Sequence, residues 1–240
     1  MTPWARLVAL FVAVVLAAAF LKVLPPFVVL VLFVGGVAYV NWRLKSDAKR
    51  EASNPVAILG LEHASDDRFG LLGYPFALLG RGSDPSVADV SWGPWQGIDV
   101  KAFELRYTPT GAVPERPEVR VFTCAVAPVD TTCPRFVLEP RSFLGVDASR
   151  GPLPEVDVAD EVLARRVEVR CEDAAFATDL LDDRMVEWLL ELEAEWGFEL
   201  SGRLSLAYAP SDRAHDVMGA LQSLKGFLDR VPSEDPRDRD

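Results

Sequence analysis

The hydrophobic pattern divides the chain in two. Residues 7–40 are almost wholly apolar, whereas the chain beyond residue 45 mixes apolar and charged positions. Two runs stand out in the first part: residues 7–21, extendable to Leu24 across Lys22, and residues 27–40. A membrane-spanning helix needs about 20 mostly apolar residues, and each run reaches that length with its flanks. Pro25-Pro26 would break one continuous helix, because proline lacks an N–H and pushes the residue before it out of the α region. The pattern therefore predicts a two-helix transmembrane hairpin over residues 1–45. One competing reading is a cleaved signal peptide followed by one span, since Arg6, the apolar run and Ala17-Ala18-Ala19 have the order of such a leader. A single or re-entrant segment is another.

The flanks favour the hairpin. Tryptophan prefers the headgroup level and basic residues the cytoplasmic side. In a hairpin Trp4, Arg6, Trp42, Arg43 and Lys45 meet at one interface, with Lys49 and Arg50 nearby and only Lys22 at the other end. This places the anchor in the inner (cytoplasmic) membrane and the domain in the cytoplasm. Gly35-Gly36 and Ala17-Ala18-Ala19 are small enough for close helix approach; lipid-facing filler is the plain alternative.

Residues 46–54 form a polar linker, residues 55–231 an α+β domain, and residues 232–240 a charged tail expected to be disordered. Strands are expected at 76–79, 87–92, 97–107, 119–127, 135–138 and 166–171. A turn is expected at Gly93-Pro94, and a hairpin of 198–200 with 204–208 joined at Ser201-Gly202. Two strands change face. Ile98, Val100 and Ala102 share one parity, then Phe103, Leu105 and Tyr107 the other; Val119 and Val121 give way likewise to Phe122, Cys124 and Val126. Side chains alternate along a strand, so such a switch means a bulge or a passage between packing layers. Together they predict a bent antiparallel sheet of about six to eight strands, with a half-barrel as one form of the bend, and two covering helices. One helix starts at the N-cap Asp182 and runs over 183–196, its stripe Met185, Trp188, Leu189, Leu192 and Trp196, ended by Gly197. The other starts at Ser211 and runs to about residue 231, with Val217, Leu221, Leu224, Leu228 and Val231 in line.

Charge narrows the partners. The first 50 residues hold six of the 25 basic and one of the 36 acidic residues, which leaves 19 basic and 35 acidic and a formal net charge of −16 for the rest. A nucleic-acid binder needs the opposite sign. Only the segment 43–50 suits an anionic lipid surface. Three cysteines, Cys124, Cys133 and Cys171, and no Cys-x-x-Cys fit buried thiols in a reducing compartment and no zinc site; a Cys124–Cys133 bridge would follow from the opposite topology.

Candidate chemistry is thin. His63 lies among Glu62, Ser65, Asp66 and Asp67, but neighbours in sequence do not make a triad; a solvated turn is the reading here. His215 falls off the apolar stripe of the last helix. Gly80-Arg81-Gly82-Ser83 lacks the spacing of a phosphate loop and reads as a turn. Glu187, Glu191, Glu193 and Glu195 form a solvated helix face without the spacing of a calcium loop. Trp92 and Trp95 are candidates for an interaction anchor or for packing inside the curled sheet.

Several stretches carry a resemblance. These are Phe69-Gly70, Gly73-Tyr74-Pro75-Phe76, the Gly-x-Trp-x-Gly turn at 93–97 and Val100 to Tyr107, then 162–169, Ala175-Phe176-Ala177 and 180–190. Across most of 60–230 the chain resembles an uncharacterised family of bacterial membrane-anchored proteins, frequent in actinobacteria. It departs at Leu163-Ala164, where that family carries Phe-Asn. The resemblance implies a short anchor and one globular domain, and no activity or catalytic residues.

With no nucleophile motif, metal-ligand spacing or phosphate loop, the expectation is a membrane-tethered, non-enzymatic interaction or scaffold protein without cofactor. Its partners are the lipid bilayer and membrane or cytosolic proteins, or further copies of itself. The alternative is a membrane-associated hydrolase or small-ligand-binding domain whose site assembles from scattered residues.

Overall fold

A computed structural model describes residues 59–109, 119–143, 153–192, 195–211 and 216–232. The chain divides between Asn54 and Pro55, and every described residue belongs to the second unit. The expected hairpin, with Trp4, Arg6, Trp42, Arg43 and Lys45, lies outside the described residues, as do the linker, residues 233–240, Glu193 and His215. Among the described residues no helix is long and apolar enough to cross a membrane.

Six strands form one antiparallel sheet: β1 (Glu62–Ala64), β2 (Ser83–Trp95), β3 (Ile98–Thr108), β4 (Arg120–Pro140), β5 (Val167–Cys171) and β6 (Gly197–Pro210). β4 is the axis. Its first half pairs with β3 and its last residues with β5 along one edge, while β6 follows the other edge from Phe122–Pro210 to Leu138–Phe198. Among the described residues four α-helices accompany the sheet: α1 (Glu161–Arg166), α2 (Ala174–Leu180), α3 (Asp183–Glu191) and α4 (Val217–Leu228). The sequence pattern announced only the last two.

Several local expectations change. The β2–β3 turn is Gln96-Gly97, not Gly93-Pro94. Both turn residues have positive φ, 47° and 85°, as a two-residue turn matching the strand twist requires, so Gly93 and Pro94 stay inside β2 opposite Val100 and Asp99. Residues 76–79 are not a strand. Two 3₁₀ turns, Leu71–Gly73 and Leu78–Gly80, fold that stretch over the sheet, burying Leu71, Leu78 and Leu79. Residues 198–200 and 204–208 are not a hairpin either, because both pair with β4 as parts of one strand. Residues 119–127 and 135–138 likewise merge into β4.

The face switch in β3 is a passage between layers. β3 keeps unbroken register on β4 from Lys101–Val126 to Tyr107–Arg120. The irregularities sit in β2, where the register shifts bracket Asp84 and Asp89, each at φ 52°. Val100 and Ala102 are buried on one face, and Phe103, Leu105 and Tyr107 on the other.

The β4–β6 ribbon is bent back on itself. In a straight strand Gly197 and Tyr208 would stand roughly 35 Å apart, at about 3.3 Å per residue. A Cβ on Gly197 would instead lie 2.3 Å from the Tyr208 ring. Phe122, near the start of β4, and Phe143, in the 3₁₀ turn just past its end, approach to 6.0 Å between ring centroids. The bend falls where β4–β6 register breaks, between Pro128 and Phe136, facing Gly202 with φ 58°. Prolines in β4 cannot complete the ladder there, and Gly202 accepts a backbone that a side chain would resist.

Helix ends follow local hydrogen bonding. Asp160, Asp173 and Asp182 cap α1, α2 and α3 through their carboxylates. α3 ends at Glu191 and Gly197 opens β6, so the expected helix to residue 196 is shorter. Asp216, not Ser211, caps the described part of the last helix. Replacing Asp182 by alanine removes the acceptor for the Met185 N–H at 2.9 Å, and the expected cost is about 1 kcal/mol, read as a shift in the denaturant midpoint with unchanged slope. α4 packs on β3, β4 and β6. Its Phe227 stacks on Phe198 at 4.6 Å, and Phe198 lies 5.6 Å from Trp188 of α3.

Candidate functional site

The fold of the ribbon brings charges together inside the domain. Glu139 on β4, Arg170 on β5 and Glu199 on β6 are 0 %, 5 % and 2 % exposed, and Arg81, between the second 3₁₀ turn and β2, is 7 % exposed. Glu139 and Glu199 flank Leu138 and Phe198, which pair across the ribbon. Both lie inside apolar runs, and the strand face they occupy is covered by the 71–80 strap.

Arg81 grips Glu139 with both terminal nitrogens, one at 2.7 Å from Oε2. Arg170 Nη2 stands 3.6 Å from the same Oε2, and its Nε 3.3 Å from Glu168 Oε1. The second contact is electrostatic, since Nε lacks a directional hydrogen bond. Arg141 continues the chain at 3.8 Å from Glu168. Glu199 takes a different partner. Its carboxylate accepts the backbone N–H groups of Ala77 and Leu78, the latter at 2.9 Å, and so holds the strap to β6.

Burial dominates the electrostatics. It pushes the Glu199 carboxyl up to about 7, against the opposing pull of Arg81 and of the two amides. It also pushes the Tyr208 phenol and the Cys124 thiol well above their ordinary ranges, with Glu139 adding at Tyr208 and Glu199 at Cys124. The Tyr208 hydroxyl is buried without a hydrogen-bond partner. Its ring packs in an aromatic group with Phe122 and Phe143, at 5.9 and 6.2 Å.

The residues singled out from sequence fall elsewhere. Trp95 is buried at 7 % exposure, so it is a core residue. Trp92 is half-buried, with Phe69 edge-on at 5.1 Å and the Arg68 guanidinium 4.9 Å from its ring centroid. Glu187 and Glu191 are exposed, as a solvated face requires. Cys124, Cys133 and Cys171 are buried and form no disulfide with one another. Among the described residues no three metal-ligating side chains converge.

His63 acquires partners the sequence did not show. Nδ1 lies 3.2 Å from Ser91 Oγ, and Nε2 4.0 Å from Asp89 Oδ1. The residue types are those of a hydrolase triad, but Ser91 is 0 % exposed and the Asp89 contact exceeds hydrogen-bond length. A nucleophile must reach a substrate carbonyl, and this hydroxyl is sealed between β1 and β3.

The sequence pattern does not mark Glu139, Arg170, Glu199 or Tyr208, and it marks Arg81 only as part of a turn. Strand alternation assigns Glu139 and Glu199 to solvent. The available signal was that the residues around them are apolar at adjacent positions, as in Phe136-Val137-Leu138, which is the pattern of a strand covered on both faces.

Fold and centre define an α+β domain on a folded-back antiparallel ribbon, with its charges neutralised inside. No protein-family model and no curated protein matches the chain. A solved structure does: the mycobacterial trehalose monomycolate transport factor A, TtfA, with TM-score 0.55 and 17 % sequence identity, covering 75 % of this chain and 92 % of that one. At that identity the likeness is one of fold.

Proposed function

We propose that this chain is a membrane-tethered, non-enzymatic accessory factor in the transport of an envelope lipid, acting through contacts with a membrane partner protein. The observation that carries the reading is the likeness of fold over 92 % of a solved chain described as a transport factor. Two features support it. The convergent charges of the domain face one another and are buried, as a structural centre requires. The apolar runs at 7–21 and 27–40 supply a tether, and tethering raises effective concentration beside membrane partners. The anchor as a two-helix hairpin in the inner membrane, with the domain on the cytoplasmic side, belongs to this proposal.

The test is depletion of the protein in its host, with pulse-labelled envelope lipids followed over time. The expected result is build-up of an unexported lipid precursor, reversed by the full chain but not by a chain lacking residues 1–45. Unchanged lipid export on depletion would overturn the reading.

A further inference from the structure

The two arms of the folded ribbon meet at one hydroxyl. Tyr208 stands on the arm of β6 that pairs with the first half of β4, opposite Cys124, whereas Glu139 and Glu199 stand on the other arm, beside the Leu138–Phe198 pair. The absent side chain of Gly197 makes room for this approach, since the ring carbon that bears the Tyr208 hydroxyl lies 2.3 Å from where a Cβ would stand. The hydroxyl thus enters the ionic centre from the far arm, on a side chain that is 0 % exposed. No group in the centre hydrogen-bonds to it. We propose that one internal water molecule bridges the Tyr208 hydroxyl to the Glu139 carboxylate and so ties the two arms together.

Electrostatics places the hydroxyl among the charges. After burial itself, Glu139 acts on the phenol most strongly, followed by Arg81, Glu199 and Arg170. None of them bonds to it directly, and buried hydroxyls are nearly always satisfied by protein or by ordered water. A water with about 2.8 Å on either side spans such a gap. Arg170 Nε is likewise buried without a directional hydrogen bond, so the centre lacks well-placed acceptors rather than charge.

Charge and bonding capacity select water over an ion. Arg81, Arg170 and Arg141 face Glu139, Glu168 and Glu199, three groups of each sign. An added ion would leave the buried centre with an unpaired charge, which burial disfavours. An ionised carboxylate offers about four acceptor sites. Glu139 uses two on Arg81 and faces Arg170 with a third, which leaves room for a water proton. The water in turn accepts the phenol O–H. Buried waters hold about two to four such bonds. The bridge is independent of the proposed transport role.

Two measurements on the full chain in detergent test it. A crystal structure that resolves ordered solvent should place one water at about 2.8 Å from both Tyr208 Oη and an oxygen of Glu139. A direct bond from Tyr208 Oη to any of the four charged side chains, or no water between Tyr208 and Glu139, overturns the proposal. Tyr208→Phe keeps the ring against Phe122 and Phe143 and removes only the hydroxyl. The water then loses a partner, and the unfolding equilibrium constant in urea should rise roughly fivefold to tenfold. A variant as stable as the parent, or more stable, means that the hydroxyl made no bond, and this also overturns the bridge. The crystal structure needs no variant, so it decides even if Tyr208→Phe does not fold.

Discussion

Replacing Arg81 by alanine should destabilise the domain by about 3–5 kcal/mol, the cost of leaving a buried charge without its partner. Glu139 is 0 % exposed and receives both terminal nitrogens of Arg81. Arg170 remains after the change, but at 3.6 Å it makes a single, longer approach to Glu139. The alanine also removes an aliphatic stem from beneath the strap. Lysine should recover only part of the loss, because an ammonium group cannot make the two-pronged contact. A double-mutant cycle with Glu139→Gln isolates the pair. Its coupling should be several-fold above the 1 kcal/mol ceiling typical of exposed pairs. Urea unfolding supplies all the terms, and a loss below about 1 kcal/mol for Arg81→Ala would show that water reaches the centre.

Gly197→Ala is the second large effect, expected near 3 kcal/mol, at the upper end of overpacking costs. The added Cβ would lie 2.3–2.7 Å from three atoms of the Tyr208 ring. That ring is 0 % exposed and is braced by Phe122 and Phe143, so it has little room to retreat. The backbone φ of Gly197 is unremarkable for any residue, so strain is not the cause; the conflict is steric. The decisive comparison is with Tyr208→Ala, which opens a cavity of its own. Because each change relieves the other, the double variant should be more stable than the sum of the two losses predicts. Strict additivity would mean that the two ends of β6 do not touch and that the ribbon is straighter than described.

What the sequence disclosed depended on how far each signal reaches. The parity switch in residues 98–107 pointed to a bent antiparallel sheet, because side-chain alternation is a local property that survives tertiary contact; the one expected over 119–126 is absent, since Val119 is exposed and precedes β4, and residues 122–127 are buried on both faces. The Asp182 cap was legible for the same reason, since its hydrogen bond closes within three residues. The Gly93-Pro94 turn was misplaced because turn chemistry alone does not set register; Gln96, an uncommon residue at positive φ, carries no obvious turn signal. Residues 76–79 looked like a strand because a short apolar run does not distinguish a strand from a buried turn. The ionic centre was invisible because Arg81 and Glu139 are 58 residues apart and Ala77 and Glu199 are 122 apart, and no pairwise spacing encodes them. Burial on both faces then made their strands break the alternation by which a buried carboxylate would be noticed.

The folded-back ribbon also sets an order of events during synthesis. Contacts across β4 and β6 join residues 60 positions apart at Leu138–Phe198 and 88 apart at Phe122–Pro210. β4, 21 residues long, therefore leaves the ribosome with one whole edge unpaired and waits for β6. At about 5–20 residues per second that interval lasts on the order of several seconds. During it an apolar strand is open to pairing with the wrong neighbour. Slow translation through the segment between β5 and β6 should thus raise aggregation of nascent chains, and a ribosome-bound chaperone that shields β4 should matter more for this protein than its modest size suggests.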